Sequence, residues 1–289
     1  MPELPEVETT VNYLKKKVLG RKILSFWTDT PKLLKKPKLA DFGKLIYGKK
    51  INDIKRVGKN ILFYLEDNLI MLIHQKLSGH LLFGNWEIGE KVKSKIKGPL
   101  STDPQNRFIR FIWQLDNGWQ LGLSDLRKFA KIELDSQKKI ESELFKSLGP
   151  DALKISFREF RERIGKYNRS IKEVLMDQKV IAGIGNIYAD EILWQAKVSP
   201  FLKARELKED VLKKIYQAMK FILKKALKAH GTSIDDYRLP NGKKGYYQNL
   251  RKVYQREGEP CFRCQSKIQR IKIKERSAHF CPVCQKIPF

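Results

Sequence analysis

The sequence has no apolar run near the roughly 18 residues that a membrane span needs. Its first residues, Met1-Pro2-Glu3-Leu4-Pro5-Glu6, carry neither the basic segment nor the apolar stretch of a signal peptide. Residence in the cytoplasm is therefore expected. Internal repeats are missing too, and cysteine is confined to four residues near the C-terminal end. Acidic side chains are outnumbered, 32 against 59 Lys and Arg, which leaves a formal net charge of +27 over 289 residues. Disorder does not explain that excess, because 42% of the chain is apolar and 10% aromatic, enough for real cores.

Charge of this size opposes compaction and calls for a polyanionic partner: nucleic acid, an anionic membrane surface or an acidic protein. The excess is spread along the chain, with nets of +10 over 1–135, +10 over 136–244 and +7 over 245–289. Basic residues built onto folded surfaces favour a shaped nucleic-acid site over a loose basic arm.

Periodicity divides the chain in three. Val7, Val11, Leu14 and Val18 recur at helical spacing, so 5–19 is read as an amphipathic helix ended by Gly20. Short β-rich runs follow at 51–57, 59–66, 69–74, 108–115, 119–124 and 129–134, split by turn signals such as Asp116-Asn117-Gly118. Residues 87–106, rich in Lys, Gly, Pro and Ser, read as a mobile loop. Beyond the turn at 148–151 the pattern turns helical, over 156–165, 170–177, 186–196 and 206–229. The fold class expected is α+β and multidomain: a β-sandwich with a leading helix over 1–136, a helical domain over 137–243 and a small Cys-bearing module over 244–289.

Cys261-x₂-Cys264 and Cys281-x₂-Cys284, sixteen residues apart, suit a tetrahedral Zn²⁺ site. Two disulfides are the weaker alternative in a reducing compartment. Four thiolates close the coordination shell, so the metal is structural, and it supplies folding energy of about 10 kcal/mol to a module too small to fold by burial alone. His279, beside an already filled site, is expected at the surface.

Met1-Pro2 carries a chemical consequence. Removal of the initiator Met leaves Pro2 with a free secondary amine able to form an iminium ion at an aldehyde-like carbon, and Glu3 is placed to move a proton. The plainer readings are a residue that permits Met excision and an acid at a helix N-terminus.

The order of several motifs weighs against the plainer readings. Met1-Pro2-Glu3-Leu4-Pro5-Glu6-Val7-Glu8-Thr9, Gly58-Lys59, Ile73-His74 before Leu77-Ser78-Gly79, Asp125-Leu126-Arg127-Lys128-Phe129, Leu148-Gly149-Pro150, Ala182-Gly183-Ile184-Gly185-Asn186-Ile187-Tyr188 and Cys281-Pro282-Val283-Cys284-Gln285 run the length of the chain. Together they resemble the bacterial formamidopyrimidine-DNA glycosylases.

That resemblance implies a β-sandwich, a helix–two-turns–helix domain and a zinc finger. It implies a bifunctional glycosylase and abasic-site lyase that acts on oxidised purines in double-stranded DNA as a monomer, with one structural zinc and no organic cofactor. Pro2 becomes the nucleophile, Glu3 the proton donor and acceptor, and Lys59 the proton donor in β-elimination. Arg276 becomes the phosphate-gripping residue of δ-elimination. Leu77, Arg127 and Phe129 fill the gap left by an extruded nucleotide, His74, Asn186 and Tyr254 contact phosphates, and residues 231–242 close over the flipped base. Two other readings stay open, a relative of endonuclease VIII acting on oxidised pyrimidines and a non-catalytic zinc-bearing nucleic-acid-binding protein. The chain departs from the family pattern at Gln75-Lys76 (usually Leu-Gly), at Leu77 (usually Met), at Leu126, Lys128 and Ala130, and at Glu275 and Ala278 around Arg276.

Overall fold

Alternation and turn chemistry translate directly into the strands of the computed structural model, which describes residues 1–286. Helix α1 (Leu4–Val18) leads into β1 (Ile23–Thr28), β2 (Leu34–Lys36), α2 (Leu39–Ile46), β3 (Ile51–Val57), β4 (Asn60–Leu65), β5 (Leu69–His74) and β6 (His80–Gly84). A small hairpin, β7 (Trp86–Glu87) and β8 (Lys93–Ser94), and the single turn α3 (Pro99–Thr102) precede β9 (Ile109–Leu115), β10 (Gln120–Ser124) and β11 (Lys131–Ser136). Helices α4 (Gln137–Ser147), α5 (Phe157–Ile164), α6 (Ile171–Met176), α7 (Asn186–Ala196) and α8 (Glu209–Lys228) follow, and β12 (Gln269–Ile273) and β13 (Arg276–Phe280) form a final hairpin. Among the described residues no helix is long and apolar enough to cross a membrane.

By packing, the described residues form two units: Met1–Lys146 with Ala229–Gln248, and Ser147–Lys228 with Asn249 onward. In the first, strands ordered β1-β9-β10-β6 and β2-β11-β5-β4-β3 make two sheets. Inward-facing residues of both sheets share one core with Val7, Val11 and Leu14 of α1. Side chains alternate across a strand, so Ile61, Phe63, Met71 and Ile73 face that core. Leu62, Ile70 and Leu72, one residue out of phase, pack on Ile140 of α4 instead. The polar stretch after 135 is thus helical, because Ile140 gives it one apolar anchor.

Residues 87–106 are not the mobile loop their composition suggests. Trp86, Leu100, Ile109 and Ile112 form a second small core on which Val92 and Ile96 pack, and this ties β7, β8 and α3 to the sheet.

Segment 229–248 belongs to the first unit, whereas the division by sequence cuts it at 243. Its backbone and side chains bond to that unit at several points: the Phe83 N–H donates to the Pro240 carbonyl (2.7 Å) and Asn106 Nδ2 to the Gly242 carbonyl (3.0 Å). Arg238 pairs with Asp103 at 2.6 Å. In the second unit α5 to α8 build the helical core, and α7 is buried along most of its length. Trp194 of α7 joins Val253, Cys261, Ile268 and Cys281 in the core of the Cys-bearing module.

Candidate active site

Pro2 and Glu3 are buried at the start of α1, with Glu3 at the N-cap position and only 2% exposed. The Glu3 N–H donates to Glu6 Oε2 (2.8 Å), and Glu6 Oε1 accepts the Thr232 N–H (2.7 Å). One carboxylate therefore fixes both the segment that carries Pro2 and the loop 231–242. Tyr237 adds to this by donating its hydroxyl to the Glu6 carbonyl (3.0 Å), and burial pushes that phenol well above its ordinary pKa.

Lys59 lies in the two-residue turn between β3 and β4, where Gly58 takes φ +59°, a conformation that glycine adopts without strain. Its side chain is 6% exposed. Arg56 braces this turn by donating to the Gly58 carbonyl (3.0 Å), and it also pairs with Glu8 of α1 at 2.6 Å. The helix that begins at Pro2 and the hairpin that carries Lys59 are thus joined by one ion pair.

His74 ends β5 opposite Asn60 and Lys131. Burial, followed by the charges of Lys76, Lys59 and Lys131, lowers its pKa to about 3. The Lys76 N–H donates to Nδ1 (3.0 Å), so the neutral ring keeps its proton on Nε2, available to an anion.

Leu77, Arg127 and Phe129 lie on two loops fastened together. Asp125, fully buried, bonds to the Ser78 hydroxyl and accepts the N–H groups of Phe129 (2.8 Å) and Ala130 (2.7 Å). The Arg127 N–H donates to the same Ser78 hydroxyl (3.0 Å). Ordered in this way, the turn exposes Arg127 and leaves Phe129, a large apolar ring, 56% exposed. Lys128 sits at φ +56° between them, so the turn is made by Asp125 without a glycine.

In the second unit Asn186 is the first residue of α7, and Gly185 holds the cap position. Gln178 braces the preceding turn, accepting the Gly183 N–H (2.9 Å) and donating to the Ile184 carbonyl (2.8 Å). Among the described residues, Asn186 Oδ1 is buried with no hydrogen-bond partner. Tyr254 is half-buried, its ring edge-on to His279 at 5.0 Å. Arg276 opens β13 and is exposed.

The four cysteine Sγ atoms lie within 4.8 Å of one another. The Arg263 N–H points at Cys261 Sγ (3.4 Å) and the Cys284 N–H at Cys281 Sγ (3.3 Å), so two of the sulfurs accept backbone hydrogen bonds. Four soft sulfur donors at this spacing fit one tetrahedral Zn²⁺.

Comparison with known proteins gives three family matches along the chain. Residues 1–132 fit the family described as "Formamidopyrimidine-DNA glycosylase N-terminal domain", 148–238 "Formamidopyrimidine-DNA glycosylase H2TH domain", and 258–287 "Zinc finger found in FPG and IleRS". The formamidopyrimidine-DNA glycosylase of Pelotomaculum thermopropionicum is 36% identical over 99% of this chain and 100% of its own length. The Chloroflexus aurantiacus enzyme is 37% identical over 99% and 98%. A Lactococcus lactis FPG variant, solved with Fapy-dG containing DNA, superposes with a TM-score of 0.87 at 33% identity, covering 99% of this chain and 100% of that one. The chain belongs to the formamidopyrimidine-DNA glycosylase family.

As a member of that family it has the β-sandwich, helix–two-turns–helix and zinc-finger architecture expected from its motifs, and Cys261, Cys264, Cys281 and Cys284 hold one structural zinc. His279 differs from expectation. It is buried rather than at the surface, because its backbone N–H and Nδ1 both reach Asp190 Oδ2 at 2.9 Å. Sequence reasoning also passed over Glu191. Its buried carboxyl, raised in pKa by desolvation, collects the N–H groups of Lys252, Val253 and Tyr254 at 2.8–3.0 Å and so fixes the backbone of Tyr254. Acid residues within α7 carry no periodic signal that marks them as buried.

Proposed function

We propose that this family member excises oxidised purines from double-stranded DNA and then cleaves the abasic strand, acting as a monomer without an organic cofactor in a bacterial cytoplasm, where it associates with the nucleoid. The observation that best supports the reading is the buried Pro2–Glu3 segment, tied through Glu6 to loop 231–242 and through Glu8–Arg56 to the Lys59 turn.

With Met1 removed, the Pro2 nitrogen attacks C1′ of the damaged nucleoside. The bond from C1′ to the base breaks, the base leaves with a proton, and Glu3 protonates the ring oxygen so that the sugar opens as an iminium ion. Loss of a proton from C2′ expels the 3′ phosphate, with Lys59 supplying the proton to the leaving oxygen. Loss of a proton from C4′ then expels the 5′ phosphate, which Arg276 grips bidentately. Water hydrolyses the remaining iminium ion and returns the Pro2 amine.

To reach C1′ the nucleotide must leave the stack, at a cost of a few kcal/mol. Phe129 wedges the step, Leu77 fills the gap and Arg127 addresses the orphaned base, while His74, Asn186 and Tyr254 hold phosphates. Borohydride is expected to trap the protein on abasic DNA, and cleavage of an 8-oxoguanine duplex should exceed that of a dihydrouracil duplex. No trapping by a protein whose N-terminus is Pro2 overturns the mechanism. Preference for dihydrouracil overturns the purine assignment.

A further inference from the structure

Arg276 is exposed on a hairpin of two short strands, a support that alone fixes a side chain poorly. Yet the residues on both sides of it are gripped by α6. Lys172, 1% exposed, extends Nζ to the Ser277 carbonyl and pairs with Asp190 Oδ1 at 2.6 Å. The other oxygen of Asp190 holds His279. Glu173, the next residue on α6, pairs with Lys274 at 2.7 Å while its second oxygen accepts from Ser170 at the helix cap. Lys274 sits at φ +50° in the two-residue turn closed by Ile273 and Arg276. Arg276 is therefore flanked by a side-chain anchor two residues before it, at Lys274, and by a backbone anchor one residue after it, at Ser277, both held from neighbouring positions of a single helix turn.

We propose that Lys172 and the Glu173–Lys274 pair are positioning residues for δ-elimination, holding the hairpin tip so that Arg276 meets the departing 5′ phosphate. The inference rests on the role for Arg276 set out above. A buried lysine bound to a carbonyl is an expensive way to stabilise a fold. Here it fixes the one strand end whose neighbour must be placed to within a fraction of an ångström. The two departures around Arg276 fit the same view. Ala278 is fully buried, and Glu275 is exposed, 4.0 Å from Lys272, so neither has an interaction that draws Arg276 away.

The test measures how one covalent intermediate divides between products. Wild type, Lys172→Met, Lys274→Gln and Lys274→Arg are given abasic duplex. Borohydride trapping, the ratio of 3′-phosphate (δ) to 3′-unsaturated-aldehyde (β) ends, and zinc content are read. In the Lys274 variants trapping and zinc should hold within about twofold, a margin no larger than a surface substitution produces. For Lys172→Met, where Asp190 loses its buried partner, the ratio is read on protein that retains its zinc. The δ-to-β ratio should fall about tenfold in Lys172→Met and about two- to fivefold in Lys274→Gln, with Lys274→Arg restoring it. A residue important only for folding would lower trapping and both products together. Unchanged ratios in variants that keep their zinc overturn the proposal. If Lys172→Met loses zinc, the Lys274 pair decides alone, since that side chain is exposed and its glutamine variant leaves the α6 cap intact. Failure of wild type to trap at all is the separate sign that the lyase reading itself is wrong.

Discussion

In the first unit, Pro2, Glu3 and Lys59 are buried at the ends of regular elements that share one large apolar core. In the second, Arg276 stands exposed on a hairpin whose own core is a handful of residues around the cysteines. The first arrangement gets most of its rigidity from burial, and a single ion pair, Arg56–Glu8, pins α1 to the turn that Gly58 and Lys59 make between β3 and β4. The second replaces missing apolar area with a metal and with ionic anchors from α6. A small module can thus place a residue accurately, but its placement depends on groups that chelators, salt and single substitutions can remove.

The comparison can be broken most severely at Pro2. Pro2→Gly, or a chain that keeps Met1, should lower borohydride trapping about 100-fold or more, measured in single-turnover assays. Undiminished trapping by the Met1-bearing chain would remove the first unit from the chemistry. Next in size is zinc. Chelation, or Cys261→Ser, withdraws folding energy of about 10 kcal/mol from the module. Release of 3′-phosphate ends should drop to background while the thermal transition of the β-sandwich stays in place. A chelated protein that still yields those ends would show that Arg276 needs no metal-held module.

A smaller effect tests the burial side. Desolvation lowers the pKa of His80 to about 4, so the unfolded chain binds the proton first. The stability tied to this group is complete above about pH 6.5 and is lost as pH falls toward 4. The loss amounts to about 3 kcal/mol, from 1.36 kcal/mol per unit. Denaturant titrations of His80→Gln should show a flatter acid limb than wild type, and an equally steep limb would refute this source of acid sensitivity. Smallest is Tyr237→Phe. It deletes the hydroxyl bonds to the Glu6 carbonyl and Thr10, and a stability loss of about 1 kcal/mol is expected from urea unfolding.

Much of this was legible beforehand, for identifiable reasons. Strands β3, β5 and β10 and helix α7 announce themselves by apolar spacing and punctuation, and the CxxC pairs announce the metal. The motif order placed the candidate residues, and the structure adds how Asp125, Glu6 and Arg56 hold them. What stayed hidden are charged residues used inside. Lys172, Asp190 and Glu191 look like the polar face of a helix, and nothing in their spacing says that a partner strand or backbone will bury them. Residues 87–106 deceived through composition, because one tryptophan and a few aliphatics suffice to organise a Lys- and Gly-rich stretch around Trp86.

Segment 229–248 has a further consequence. The backbone passes from the first unit to the second after Lys146, back after Lys228, and across again after Gln248. No single cut separates the two units. A fragment ending at Lys146 would strand the Glu6 carboxylate without the Thr232 N–H and Asp103 without Arg238, while a fragment starting at Ser147 would carry the missing piece as an orphan insert. Exchanging the β-sandwich with that of a relative therefore means transplanting two pieces of chain at once, and lesion preference should travel with the pair rather than with either piece alone.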